Sequence, residues 1–450
     1  MILRAFDGDD TAIDQLDLLM LDIQGGVRHV SIPRRYVTDK LMAEGIGFDA
    51  SNLGYAKTDD SDMVAIPDMR TGFVQERDGQ TLLHVLCNVH RSDGGSFEQY
   101  PRRVTRRTVE HLRGEGLADD VMMLPELEFH IFDDVRYSSD PSHSCYHLQS
   151  REGLGPDFAD RPRFGTQRGY HRIAPEDGYE DVRHQIVRAL DIIGVPVKYH
   201  HHEVGASQHE IELDLMPLAR AADAISLTKW IVRSIVAEHG LHVTFMPKPM
   251  YRAAGNGMHV HQYLERDGRS LFTGDALHGL TPLALAYTAG LLEHSLSGSL
   301  LAFTNPSTNS YRRLVPGFEA PIGATFAKAS RDASVRIPGY LKPGERRIEY
   351  RTGDASANAH YALSAMTLAG IDGVQREADP VALGFADPHN GKVFPLSLDA
   401  VLDGLESDHS YLLPAFPPEL LGRWISLKRA EAQTVYRAPT PQEYEFYFNV

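Results

Sequence analysis

Acidic and imidazole side chains recur in this chain at alternate positions of short apolar runs, and that spacing can build a polar reaction surface. In Leu124-Pro125-Glu126-Leu127-Glu128-Phe129-His130-Ile131-Phe132 the ionisable residues are two apart. Residues two apart share one face of a strand. Glu126, Glu128 and His130 are therefore expected on one side, with Leu127, Phe129 and Ile131 in a core on the other. Carboxylates this close raise each other's pKa or recruit a cation. The pattern returns three times. Residues 197–204 end in His200-His201-His202-Glu203, residues 208–215 put Glu210, Glu212 and Asp214 opposite Ile211, Leu213 and Leu215, and residues 257–264 put His259, His261 and Tyr263 opposite Met258 and Val260. A fifth stretch, 346–351, places Arg347, Glu349 and Arg351 together.

One Glu-x-Glu strand is usually a solvated sheet face, and a lone His-x-His is usually a packing or surface pair. Four acid- or histidine-bearing strands with apolar backs point instead to one shared site. Glutamates with one or two imidazoles suit Mg²⁺ or Mn²⁺, which prefer hard oxygen ligands. The H-E-x-x-H pattern of zinc peptidases does not occur.

A second constellation is cationic. Asn305-Pro306-Ser307-Thr308-Asn309-Ser310-Tyr311-Arg312-Arg313 leads into Pro316-Gly317-Phe318-Glu319, and Arg331, Arg336, Arg346, Arg347 and Arg351 follow. Arginine forks hold carboxylates and phosphates in a bidentate grip. Any single arginine of this kind is as readily part of a surface ion-pair network. Several beside a metal-binding glutamate are what phosphoryl transfer requires, because catalysis there is mostly positioning and charge neutralisation. No G-x-x-x-x-G-K-[ST] loop is present, so ATP would be held in another way.

The elements that must carry these groups can be read coarsely. Runs 19–23 and 27–32 around Gly25-Gly26 predict a hairpin closed by Pro33, and 63–66 and 82–89 read as further strands. Pro101 opens a helical stretch, 104–112, that ends near Gly114 and Gly116, which sets a domain boundary near residue 100. Residues 179–193, 219–238, 281–292 and 357–370 read as helices among the strands. No internal repeat or low-complexity tract is visible.

The bulk composition bounds the rest. A chain of 450 residues implies two domains or one large enzyme domain. Apolar residues at 42% and charged residues at 24% are ordinary for a globular protein. A net charge of -16 without a dense Lys/Arg cluster argues against nucleic acid as a partner. Cys87 and Cys145 give no disulfide framework and are expected as reduced thiols of a cytoplasmic protein. No apolar signal region follows Met1 and no apolar run spans a bilayer, so no membrane partner is expected.

The motifs together resemble the glutamine synthetase family, over nearly the whole chain from about Leu19. The stretches that carry the resemblance are Gly45-Ile46-Gly47-Phe48-Asp49, Ser61-Asp62-Met63, Pro125-Glu126-Leu127-Glu128-Phe129, His201-His202-Glu203-Val204, Phe245-Met246-Pro247-Lys248-Pro249, Gly257-Met258-His259-Val260-His261, Asn305-Pro306-Ser307-Thr308-Asn309-Ser310-Tyr311 and Arg346-Arg347-Ile348-Glu349. The resemblance implies an α+β fold. Residues 1–100 would form an N-terminal β-grasp-like domain, and residues 101–450 a catalytic domain with a curved antiparallel sheet and flanking helices. It implies Glu128, Glu203 and Glu210 as ligands of one metal, and Glu126, His259 and Glu349 as ligands of a second on the ATP phosphates. It matches Asp49 to an aspartate that a neighbouring subunit supplies to deprotonate ammonium, Tyr170 to a tyrosine of the ammonium pocket, and Glu319 to a flap glutamate that takes a proton. Arg313, Arg351 and Gly255 fall with the substrate contacts, Arg331 with the transferred phosphoryl group, and His261, Arg336 and Arg347 with the nucleotide.

The activity implied is ATP-dependent ligation of ammonia to the γ-carboxylate of glutamate through γ-glutamyl phosphate. Two or more Mg²⁺ or Mn²⁺ ions per site and a homo-oligomer of two stacked hexameric rings are implied with it. A γ-glutamyl-amide ligase that uses methylamine, ethanolamine or a polyamine is the alternative within the same chemistry. A catalytically dead relative would have lost a metal glutamate, and none is lost. The chain departs from the family pattern at Ala254, where an asparagine is common. It also departs at Ala50-Ser51-Asn52 after Asp49, at Lys198, Leu215 and Tyr263 near the nucleotide, and at Asp379–Phe385, where no adenylylation tyrosine stands.

Overall fold

The computed structural model describes residues 1–8, 12–56, 60–158, 167–342, 344–387 and 392–450. Two sheets dominate it. The first is N-terminal, with strands ordered Ile2–Ala5, Phe73–Arg77, Gln80–Arg91, Gln15–Leu21 and Val27–Pro33. Asp62–Pro67 also pairs with Gln80–Arg91, and Ile46–Asp49 lies outside it. The predicted hairpin is present, with Gln15–Leu21 antiparallel to Val27–Pro33. Its turn is fastened by Asp22, whose Oδ1 accepts the N–H groups of Gln24 and Gly26 at 3.0 and 2.7 Å. Gly25 sits there at φ 84°, a left-handed conformation that glycine alone takes at no steric cost. The hairpin strand Gln15–Leu21 runs parallel to Gln80–Arg91, a pairing no local signal announces.

The hairpin tip does not stand free. The Asn358 Nδ2–H donates to the Ile23 carbonyl at 3.0 Å, and the Lys428 ammonium donates to Gln24 Oε1 at 3.0 Å. Arg423 reaches the carbonyls of Gly54 and Ala56. The start of the chain is thus tied to its last hundred residues.

The second sheet carries the polar strands. Its order is Val197–His202, Gln208–Leu213, Asp120–Phe132, Met258–Arg266, Ile348–Tyr350, Val335–Ile337 and Phe326–Lys328. All neighbours along it are antiparallel except the last pair, which is parallel. The alternation read from the sequence holds, since Leu127, Phe129, Ile131, Ile211, Met258 and Val260 are all fully buried. Four helices, Pro101–Gly114, Leu218–Glu238, Pro282–Ser297 and Ala359–Gln375, join the same apolar core. Two of them touch backbone to backbone, since a Cβ on Gly290 would lie 2.0 Å from the Ala369 carbonyl oxygen and one on Gly373 2.2 Å from that of Ala286.

Three differences from the sequence spacing are informative. The strand expected to 215 leaves the sheet after Leu213, so Asp214 does not share the face of Glu210 and Glu212. It is exposed in a turn, where its N–H donates to the Pro196 carbonyl and its carboxylate caps the Leu215 N–H. The helices read over 281–292 and 357–370 run on to Ser297 and Gln375. Beyond them the chain adds Leu398–Ser407, Pro418–Tyr436 and Pro441–Tyr447 as helices. Among the described residues no helix is long and apolar enough to cross a membrane.

Candidate active site

Strand register builds the site. Glu128 lies opposite Glu210, Glu126 lies between Glu212 and His259, and Glu349 lies opposite His261 on one side and Arg336 on the other. One sheet face therefore presents a band of carboxylates that runs into imidazoles and then guanidiniums. A cavity of about 200 Å³ opens over that face.

All six glutamates and histidines singled out as metal ligands line this cavity. Glu203, Glu210 and His201 bring donor atoms within 4.8 Å of one another, and so do Glu126, His261 and Glu349. His259 sits between the two groups, with Nδ1 2.9 Å from Glu126 Oε2 and Nε2 3.7 Å from Glu128 Oε1. Glu128 Oε2 accepts the Gly257 N–H at 2.8 Å, which fixes the carboxylate against the strand end.

The electrostatics differ across the band. Burial, and then the charges of Glu128 and Glu210, push the Glu203 carboxyl up to about 9. Burial, with Glu126 and Glu128, also raises Glu210. Burial would raise Glu126 too, but hydrogen bonds from His259 and His261 hold it well below its ordinary value. Burial works the same way on Glu349, and the charges of His261 and Arg351 prevail and lower it. Glu203 and Glu210 are thus crowded carboxylates with too little positive charge beside them. An oxygen-rich donor set in that condition fits a hard divalent cation, so the residues present suit Mg²⁺ or Mn²⁺.

The arginines close the other side. Arg336 NH1 donates to Glu349 Oε2 at 2.6 Å, and Arg351 NH1 donates to Glu349 Oε1. Arg313 is buried, and its NH1 and NH2 groups donate to the carbonyls of Thr352, Gly353 and Arg351, so its guanidinium is rigidly aimed. Arg331, Glu319 and Tyr170 line the mouth. Glu319 has φ 54° on an exposed turn. Tyr170 is 42% exposed, bonds Arg331 and stacks on His171.

Three of the residues singled out lie elsewhere. Asp49 does not line the cavity of its own chain; it is exposed at the end of Ile46–Asp49, where the Ser51 N–H and hydroxyl lower its pKa. His261 is 1% exposed beneath the cavity wall, its Nε2 2.9 Å from Glu126 Oε1. Arg347 lies off the wall beside Tyr263, next to the strand end. Gly255 does line the cavity, and a Cβ there would meet the Pro247 carbonyl at 2.4 Å. Ala254 lines it as well, but Asn256 does not replace an amide there. The Asn256 side chain is turned into the core, with Oδ1 2.8 Å from His130 Nδ1 and Nδ2–H donating to the Met246 carbonyl.

Sequence reasoning missed several lining groups. Gln208 donates to Glu128 Oε2 and to the Gly255 carbonyl. It is the residue two before Glu210, so the alternation that found the glutamates would have found it. Lys198 is ion-paired to the buried Glu212, which explains a cation at that position. His201 does not line the cavity, but it lies 3.3 Å from Glu210 Oε1 within the Glu203–Glu210 donor group and was not among the ligands.

Comparison with known proteins gives a consistent result. Residues 12–92 match the model of the glutamine synthetase beta-Grasp domain and residues 98–447 that of the glutamine synthetase catalytic domain. The glutamine synthetase of Frankia alni is 36% identical over 472 residues, covering 98% of this chain and 97% of that one. The glutamine synthetase of Azorhizobium caulinodans is 36% identical over 456 residues, covering 97% of each. Among solved structures, the cryoEM structure of Plasmodium falciparum glutamine synthetase superposes with a TM-score of 0.90 at 26% identity, covering 98% of this chain and 97% of that one. A GmaS/ADP complex superposes at 0.80 with 25% identity, covering 98% of each.

Proposed function

The chain belongs to the glutamine synthetase family, and from that premise we propose that it ligates ammonia to the γ-carboxylate of L-glutamate with ATP, giving glutamine, ADP and phosphate. The observation that carries this reading is the convergence of Glu128, Glu203 and Glu210 with Glu126, His259 and Glu349 in one cavity faced by arginines.

Glu128, Glu203 and Glu210 would hold one divalent cation, and Glu126, His259 and Glu349 the other. When bound, the cations would neutralise phosphate charge and sharpen its electrophilicity. The chain's own groups account for the remaining steps. The glutamate side-chain oxygen attacks the γ-phosphorus of ATP, the bond to the β-bridging oxygen breaks, and γ-glutamyl phosphate and ADP result. Arg331 would meet the transferred phosphoryl group and Arg336 and Arg347 the nucleotide phosphates, with His261 holding Glu126 beneath the cavity. Arg313, Arg351, Gly255 and Tyr170 frame the amino-acid and amine side of the cavity. Ammonium loses a proton, with Asp49 of a neighbouring subunit as its acceptor, and ammonia attacks the acyl carbon to expel phosphate. Glu319 takes the second proton and its turn keeps water away from the acyl phosphate. The position of Asp49, outside its own cavity, supports sites shared between subunits, and two stacked hexameric rings are the assembly that the family resemblance implies. A cytoplasmic location goes with this reading.

A second reading, a γ-glutamyl-amide ligase for an organic amine, draws support from the departures at Ala50-Ser51-Asn52 and at Ala254, which fall near the amine and amino-acid contacts. One assay decides: phosphate release from ATP with glutamate and Mg²⁺, comparing ammonium with methylamine, ethanolamine and putrescine. The highest kcat/KM with ammonium is expected. An organic amine ahead by tenfold, about 1.4 kcal/mol of transition-state preference, replaces the first reading with the second.

A further inference from the structure

The geometry points to Glu152 as a positioning residue for the strands that carry Glu203 and Glu210, an inference that rests on the metal-binding part of the function proposed above. Glu152 lies behind the site and does not line the cavity. Its side chain is 1% exposed. Burying a carboxylate so fully is costly unless every oxygen is engaged, and here three segments engage it. Oε1 accepts the Gly178 N–H at 3.0 Å, and Oε2 accepts the Ser207 N–H at 2.5 Å. Oε2 also lies 3.1 Å from His202 Nε2.

Each partner leads to the cation-binding face. Ser207 closes the tight turn between Glu203 and Gln208, where the Glu203 N–H donates to the Gln208 carbonyl at 2.7 Å. Ser207 has φ 65°, a left-handed conformation unfavourable for serine. Its carbonyl accepts the Ile131 N–H at 2.9 Å, which ties the turn to the strand of Glu126 and Glu128. The His202 ring faces the Glu203 carbonyl, with Nδ1 2.6 Å away. One carboxylate thus holds a strained turn in place and orients the main chain at Glu203 and, two residues past Gln208, at Glu210.

Glu152, Asp177 and His202 bring donor atoms within 4.8 Å of one another, as ligands of a cation would. The donors already present argue for the positioning role. Asp177 is ion-paired to Arg183 at 2.8 Å and accepts the Tyr179 N–H at 3.1 Å, so its charge is spent inside the fold.

The test is calorimetric Mn²⁺ titration of the full chain, which needs no turnover, for the wild type, Glu152→Gln, Ser207→Gly and the double variant, with thermal melting to show that each is folded. Glutamine presents an N–H₂ where a carboxylate oxygen accepted an N–H. Outer partners of metal ligands cost about 10- to 100-fold in affinity when lost, and Glu152→Gln is expected to fall in that range with the number of sites unchanged. Ser207→Gly gives up the buried Ser207 hydroxyl bond to Ser150 Oγ at 2.5 Å but relieves the left-handed strain, and in the double variant it should recover part of the loss. If Glu152→Gln does not fold, Glu152→Asp, which keeps the charge and shortens the reach, must show the loss. Affinity within threefold of the wild type in the folded variant overturns the positioning role. Loss of one whole site overturns it in favour of a cation bound at Glu152. A wild-type chain that takes up no Mn²⁺ overturns this inference and the proposed function together. A wild type that binds Mn²⁺, with the expected Glu152→Gln loss but no ATP-dependent ligation, supports the inference and removes the proposed function.

Discussion

Replacing Gly169 with alanine should detach one wall of the cavity without disturbing the fold. The segment 167–172 carries Gln167 and Tyr170 to the cavity mouth and lies along the outer edge of Val197–His202. Among the described residues two main-chain hydrogen bonds hold it there, from the Gly169 N–H to the Val204 carbonyl and from the His171 N–H to the His202 carbonyl, both 3.0 Å. A Cβ on Gly169 would lie 2.6 Å from the Glu203 carbonyl oxygen and 2.6 Å from His202 Cε1, where ordinary contact begins at 3.4 Å. The shortfall is 3.4 − 2.6 = 0.8 Å. Moving the segment outward by that amount takes both hydrogen bonds to about 3.8 Å, beyond useful length. At about 0.5–1.5 kcal/mol each, their loss removes about 1–3 kcal/mol of docking free energy. If Tyr170 must be docked to receive the amine, the KM for the amine rises by about 5- to 150-fold at 1.36 kcal/mol per decade. The assay is steady-state phosphate release with the amine varied at saturating ATP and glutamate, alongside a melting curve. An amine KM within twofold of the wild type, with the melting temperature unchanged, would refute the steric argument.

Four further outcomes follow from charges described by the structure. Arg102 bridges Asp68 and Asp223 at 3.0 and 2.9 Å and is nearly buried, so Arg102→Met should cost about 3–5 kcal/mol in urea unfolding. Burial opposes ionisation of Asp223, but Arg102 and His360 prevail and hold it at about 2, against 3.8 unfolded. Its stabilisation is therefore complete above pH 3.8 and lost as pH falls through about 2, and Asp223→Asn should flatten the acid limb of a stability–pH curve. His294 has a ring nitrogen on each of Asp372 and Asp408, at 2.9 and 2.8 Å, and these bonds outweigh burial to raise its pKa above 6.5. That contribution is full below pH 6.5 and lost as pH rises through the folded value, so His294→Gln should remove a decline of melting temperature on the alkaline side. Glu210→Gln, which relieves repulsion from Glu126 and Glu128, should melt higher than the wild type in EDTA yet gain less from Mn²⁺. A variant that melts lower in EDTA contradicts the crowding described for this site.

What could be read from the sequence was whatever a period of two encodes. Glu126, Glu128, Glu210, His259 and Glu349 announced themselves because apolar neighbours must face the core and leave them on the opposite side. The same rule placed Asp214 wrongly, because alternation does not say where a strand stops and a carboxylate can cap a turn instead. Gly290, Gly370 and Gly373 stand inside helices, where two helices meet and a Cβ would strike backbone or the Tyr287 ring. Propensity penalises glycine in a helix by about 1 kcal/mol, and a close interhelical contact outweighs that. The parallel pairing of Gln15–Leu21 with Gln80–Arg91 and the Glu152 network depend on segments far apart in the chain. No window of neighbouring residues carries that information. The resemblance to a family supplied roles for Asp49 and Glu319 that spacing alone could not, since both stand on exposed turns or strand ends.

The tether between the hairpin tip and the last hundred residues has a consequence for synthesis. Gln24 waits for Lys428, 404 residues later, and Ile23 waits for Asn358, 335 residues later. At about 5–20 residues per second on a ribosome, the hairpin is made some 20–80 s before its final partner emerges. During that interval the hairpin tip lacks the Asn358 and Lys428 donors that hold it in the finished fold. Expression of this protein should therefore respond to translation rate and to chaperones that shield nascent chains, and truncation near residue 400 should yield aggregate rather than a shortened enzyme.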